Sequence, residues 1–212
     1  MHKGKFNYGE YIQHMMRGKF FTFEGIDGSG KTTISKMVYE ELLKKYDAVW
    51  TKEPTDSWLG KAVERAVEEK RDAATIAFLF TADRREHIEE IKEWIEEGRV
   101  VICDRYADST IAYQAVNMHG ADDPVKWLKN IHAPFYLEPD LTFLFVLKPE
   151  IAIGRIKDRE LSPFEKASFL EKVQENYIAL ADAEKRFVKL DATESKEKLK
   201  ERCLKIIEGE MG

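Results

Sequence analysis

Residues Gly25-Ile26-Asp27-Gly28-Ser29-Gly30-Lys31-Thr32 fit the spacing G-x-x-x-x-G-K-S/T, and Thr33 follows them. This stretch constrains the fold more than any other, because it works only where a strand hands over to a helix. Its glycines let the backbone turn tightly and bring N–H groups against phosphate oxygens. A lysine at position 31 reaches the β- and γ-phosphates, and a hydroxyl at position 32 holds Mg²⁺. The following helix points its positive dipole end at the same anion. The flanks supply that context: Lys19 to Glu24 reads as a short apolar strand, and Ile34 to Tyr46 as a helix. Residues 25–33 are therefore expected to form the phosphate-binding loop of a nucleoside-triphosphate enzyme, with Lys31 as its working cation.

At 212 residues the natural count is one α/β domain with a substantial core. With 34 Lys+Arg against 39 Asp+Glu, the net charge of −5 gives no general reason to bind nucleic acid or an acidic membrane. The two cysteines, Cys103 and Cys203, give no metal spacing and no disulfide framework, which favours a reducing cytoplasm. No apolar run approaches the length of a membrane span. Residues 1–18 are polar and weakly periodic. They read either as an extension outside the fold or as a small added helix, and no apolar segment of signal-peptide type follows the basic start.

From Lys19 onward, strands alternate with helices. Strands are expected at 20–24, 48–51, 100–103, 141–147 and 187–190. Helices are expected at about 31–46, 59–70, 72–97, 108–118, 124–132, 149–157, 164–184 and 195–208, with Asp72 and Ser195 as caps. Val100 to Cys103 is apolar without alternation, as in a strand covered on both faces. The pattern predicts a five-stranded parallel sheet flanked by helices on both faces, with right-handed crossovers. A single domain over 19–212 would carry a short helical lid at about 155–165.

Three constellations carry chemistry. Asp104 ends the apolar third strand, where a P-loop enzyme keeps the carboxylate that supports Mg²⁺. Its neighbour Arg105 sits at the sheet edge that binds ligands and suits a second phosphate; the alternative is a surface salt bridge. Arg155, Lys157 and Arg159 precede a break at Ser162-Pro163. They read as a cationic flap over the transferring phosphoryl group or as a solvated basic face. Phe80 and Arg84 stand four residues apart on one helix face, as a base-stacking ring with a hydrogen-bond donor, or as core plus a surface ion pair.

With these residues in view, the chain resembles the thymidylate kinases from about Lys19 to its C-terminus. Four ordered stretches carry the resemblance: Phe23 to Thr33, Thr51-Lys52-Glu53-Pro54, Leu79 to Arg84, and Asp104-Arg105-Tyr106 through Ser109-Thr110 to Ala112-Tyr113-Gln114. It implies phosphorylation of dTMP by ATP with Mg²⁺, the metal held by Thr32 and Asp104. It implies that Asp27 faces the acceptor's 3′-hydroxyl or its metal, that Phe80 stacks on thymine and that Arg84 bonds the thymine edge. Arg105 would grip the dTMP phosphate. Ser109, Thr110 and Gln114 would line the base and sugar pocket, and Tyr113 would crowd the 2′ position. Lys52 and Glu53 fall at the acceptor site by the same match, with Lys52 where many members carry arginine. Gly28 and Ser29 stand where some members have an arginine inside the loop. This is the bacterial-type arrangement, in which the lid supplies the catalytic arginine, here Arg155 or Arg159. A homodimer is implied as well. The alternatives are a kinase for another nucleoside monophosphate or a deoxynucleoside, and a slowly hydrolysing nucleotide switch.

Overall fold

The computed structural model of the chain describes residues 17–118, 120–155 and 163–211, the side chains of 163–166 excepted. Most of the expected extension, and the lid segment with Lys157 and Arg159, lie outside the described residues.

Five strands form one parallel sheet: β1 (Lys19–Gly25), β2 (Ala48–Lys52), β3 (Val100–Asp104), β4 (Leu141–Val146) and β5 (Phe187–Asp191). Their spatial order is β2-β3-β1-β4-β5. The order reverses beside β1, and such a switch point opens a crevice at the carboxyl ends of the strands. Phe23 pairs with Asp104 in register, so the phosphate loop and the end of β3 leave the sheet side by side.

The helices are α1 (Lys31–Leu42), α2 (Trp58–Glu68), α3 (Ala73–Glu96), α4 (Ala107–Asn117), α5 (Pro124–His132), α6 (Pro149–Arg155), α7 (Pro163–Ala183) and α8 (Lys196–Met211). Alternation along the strands feeds both faces of the sheet. Phe21, Phe23 and Ile102 pack with Ile34, Val38 and Leu42 of α1 and with Leu199, Cys203 and Ile207 of α8. Phe20, Val101 and Cys103 point the other way, onto Ile88, Ile91 and Ile95 of α3. Each such phenylalanine or isoleucine stabilises the fold by roughly 1.5–3 kcal/mol on burial. A smaller cluster of Ala77, Ile111, Leu128 and Leu180 ties α3, α4, α5 and α7 together.

The caps follow the sequence. Asp72 accepts the Thr75 N–H at 2.9 Å to start α3. Gly98, at φ 82°, ends it in the left-handed conformation that glycine adopts without strain. The first helix is shorter than expected. After Leu42 the chain tightens into a turn, with Lys45 N–H donating to the Leu42 carbonyl at 2.9 Å, and so reaches β2 at Ala48.

Candidate active site

The loop between β1 and α1 has the backbone that its glycines predict. Gly25 and Gly28 lie at φ 144° and 80°. A Cβ on Gly28 would stand 2.4 Å from the Ala152 carbonyl of α6, so the loop and α6 touch backbone to backbone. Ile26 is core, Ser29 is buried, and Gly30 is the N-cap of α1. Lys31 is only 5% exposed. Burial pushes its ammonium down to about 8, helped by the Arg105 charge and opposed by Asp27, Asp104 and Glu24. An incoming phosphate reverses that balance, because it favours the charged form. Thr32 Oγ1 donates to Asp104 Oδ2 at 2.5 Å. Among the described residues Asp104 Oδ1 is buried and finds no partner. A hydroxyl and a carboxylate with an unused oxygen are hard oxygen donors of the kind Mg²⁺ takes, so these residues fit that ion.

Arg105 organises the other side. It sits between β3 and α4 at φ 70°, a conformation rare outside glycine. Its N–H donates to the Phe23 carbonyl at 3.0 Å. Its guanidinium pairs with Asp27, donates to Ser109 Oγ at 3.1 Å and lies 5.1 Å from the centre of the Tyr113 ring. Tyr113 Oη accepts the Asp27 N–H at 2.9 Å. Partial desolvation raises the Asp27 carboxyl, but Arg105 and Lys31 outweigh it and hold it below the ordinary carboxylate value.

Two cavities meet at this pair. One, of about 760 Å³, runs along residues 27–34 to Arg105, Arg155, Ala192, Glu194, Ser195, Lys196 and Leu199. Thr33 is exposed within it. Arg155 donates to the Gly28 carbonyl at 3.3 Å and to the Ala192 carbonyl at 3.4 Å, bridging the phosphate loop and the turn before α8. The second cavity, of about 560 Å³, is lined by Asp27, Glu53, Pro54, Phe80, Arg105, Tyr106, Ser109, Tyr113 and Gln114, and by Val63, Glu64, Val67 and Glu68 of α2.

Arg84 and Thr110 belong to the floor of the second cavity, not its lining. Arg84 is 1% exposed and donates to Glu53 Oε2 from Nε at 2.9 Å and from Nη2 at 2.6 Å. Nη2 also donates to Thr110 Oγ1 at 2.9 Å. His87 Nδ1 stands 3.1 Å from the other Glu53 oxygen, and its Nε2 lies 2.7 Å from Thr51 Oγ1. His132 lies 3.3 Å from Arg84 Nη1; burial first, then the Arg84 charge, push its imidazole down to about 3. Lys52 is turned aside to Asp56 at 2.9 Å and does not line the cavity. No motif in the chain marks the α2 wall or residues 192–199 at the first cavity. Val63 and Val67 share the apolar stripe of α2, and Ser195 reads only as a cap.

A phosphate loop that opens, past one cation and one carboxylate, onto a second base-sized cavity is the arrangement for moving a phosphoryl group between nucleotides. The architecture is that of a P-loop nucleoside monophosphate kinase. The family model described as Thymidylate kinase matches residues 23–203. A "Probable thymidylate kinase" of Methanosarcina mazei is 43% identical over 196 residues, covering 90% of this chain and 95% of the relative. Another, of Methanoculleus marisnigri, is 47% identical over 182 residues, covering 84% and 88%. A "Thymidylate kinase" of Ligilactobacillus salivarius is 37% identical over 205 residues, covering 91% and 98%. The chain belongs to the thymidylate kinase family.

Proposed function

We propose that the chain transfers the γ-phosphoryl group of ATP to dTMP, giving ADP and dTDP on the way to dTTP. The observation that carries this is the meeting of the two cavities at Asp27 and Arg105. ATP takes the cavity along the phosphate loop, where loop N–H groups and Lys31 hold its phosphates. Thr32 and Asp104 would hold Mg²⁺, which when bound neutralises charge on the donor phosphates. dTMP takes the second cavity. Phe80 stacks on its base, and Tyr113 crowds the 2′ position and favours deoxyribose. Arg105 grips its phosphate, and Asp27, fixed by Arg105 and by its own N–H bond to Tyr113, orients the sugar end. The acceptor phosphate then attacks the γ-phosphorus in line, with positioning and charge stabilisation doing most of the catalysis. Arg155 lies at the donor cavity, and a lid at about 155–165 carrying Arg159 completes the cation set. Arg84 acts from the floor, its guanidinium held by Glu53 and Thr110 beneath the base.

We further propose one domain over 19–212, with residues 1–18 as an extension. Among the described residues no helix is long and apolar enough to cross a membrane. The free, buried Cys103 and Cys203 support a reducing, cytoplasmic setting. Exposed Trp58 and Phe78 on α2 and α3 support a homodimer.

ADP release measured with a panel of nucleoside monophosphates and deoxynucleosides tests the reaction. dTMP should give the highest kcat/KM. A higher value for another acceptor overturns the substrate. ADP release that needs no acceptor overturns the kinase in favour of a switch.

A further inference from the structure

Glu24 is the last residue before the phosphate loop, and none of it is exposed. A carboxylate buried this way is costly unless its oxygens are bonded. Oε1 accepts the N–H groups of Tyr106 at 2.8 Å and Ser109 at 3.3 Å. Oε2 accepts the hydroxyls of Ser109 at 2.6 Å and Tyr177 at 2.9 Å. Tyr106 is the N-cap of α4, and its own side chain caps nothing. Glu24 thus does from the neighbouring strand what a capping carboxylate does within a helix. The turn it clamps is the one that holds Arg105 in a left-handed conformation. The Ser109 hydroxyl that donates to Glu24 also receives the Arg105 guanidinium.

We propose that Glu24 is a positioning residue for Arg105: its carboxylate fixes the first turn of α4 and the Ser109 hydroxyl so that the guanidinium faces the acceptor phosphate. This rests on the reading of Arg105 as the acceptor-phosphate ligand. Tyr177 belongs to α7, and its ring packs edge-on to Tyr113 at 6.4 Å. The same carboxylate therefore joins the phosphate loop, the arginine and α7.

The charges around Glu24 give a readout beyond stability. Burial and then Asp108 push its carboxyl up to about 7, against Ser109, Arg105 and Tyr177, which lower it. Lys31 of α1 and Arg84 of α3 also feel its charge. A proton on either oxygen removes an acceptor from the clamp, so the arrangement is complete only above that range. Glu24→Gln imitates the protonated form at every pH.

The experiment measures kcat and the KM of each substrate for the native chain, Glu24→Gln, Tyr177→Phe and Arg105→Ala, at pH 8 and pH 6. At pH 8 Glu24→Gln should raise KM for dTMP about tenfold or more, the scale of a charge-assisted hydrogen bond, and KM for ATP far less. The ratio to the native chain should shrink at pH 6. Titration of the dTMP phosphate is common to both chains and cancels in that ratio. Tyr177 lines neither cavity, and Tyr177→Phe should raise the same KM by about threefold, as loss of one neutral hydrogen bond does. Equal effects of Glu24→Gln on both substrates, or a ratio that ignores pH, overturn the proposal. If Glu24→Gln does not fold, an unchanged KM for dTMP in Tyr177→Phe overturns it. Arg105→Ala separates the two failures. If it shifts both KM values equally, the acceptor reading of Arg105 falls; if it is selective for dTMP while Glu24→Gln is not, only the role of Glu24 falls.

Discussion

His132 shows how a single side chain constrains the molecule. Its ring lies against Arg84 beneath the second cavity, and its imidazole is held neutral down to about 3 instead of its ordinary 6.5. The unfolded chain takes up a proton there as pH falls through 6.5, and the folded chain does not. Acid therefore favours unfolding between these limits, by up to about 1.4 kcal/mol for each pH unit from this one group. Urea unfolding at pH 7.5 and 5.5 should show the native chain losing more stability than His132→Asn. Parallel losses in the two chains would mean that the ring takes its proton without leaving Arg84. Nothing in the sequence marks this histidine. It stands near the end of a short helix, 48 positions from the arginine it touches, and only the packing of α5 on α3 brings the two together.

Among the elements, those bounded by chemistry are legible in the sequence and those bounded by packing are less so. α5 runs from Pro124 to His132 as expected, because Asp123 caps it by accepting the Lys126 N–H at 2.9 Å and proline suits its first position. The unbroken apolar run of β3 ends at Asp104 because a carboxylate there leaves the sheet for the crevice. The cavity wall on α2 is not legible: Val63 and Val67 fall in the same 3.6-residue stripe as Leu59 and Ala66, and period does not separate core from ligand. α6 is legible as a helix, but not its partners. The two carbonyl bonds of Arg155 put a cation in the cavity along the phosphate loop, so on the proposed reading Arg155→Ala should lower kcat/KM for ATP by about a hundredfold, or ~2.7 kcal/mol. Steady-state kinetics with ATP varied checks this. A loss below about tenfold removes Arg155 from the proposed donor site. The split of the loss between kcat and KM tells a transition-state cation from a ground-state ligand.

At the scale of the whole molecule, the order of strands is what one chain can announce about itself. βα alternation dictates a parallel sheet, and the phosphate loop dictates that β1 stands inside it. Which apolar surface the fold leaves uncovered is not announced, since exposed apolar residues become visible only once the fold decides what stays outside. Trp58 remains 72% exposed, with Phe78 also uncovered. Sedimentation velocity at micromolar concentration should therefore give twice the chain mass, and Phe78→Glu should shift it toward one. A native chain that sediments as a monomer removes the dimer. Arg105 carries a different consequence. Its left-handed backbone costs roughly 1–3 kcal/mol that glycine would not. Glycine would relieve that strain but would also strip Asp27 of its ion pair and empty the contacts to Ser109 and Tyr113, so Arg105→Gly sets a backbone gain against a side-chain loss. Under the role proposed for Arg105, backbone ease and grip on the substrate make opposite demands on this position, and a laboratory lineage bred only for survival at high temperature would feel the first demand and not the second.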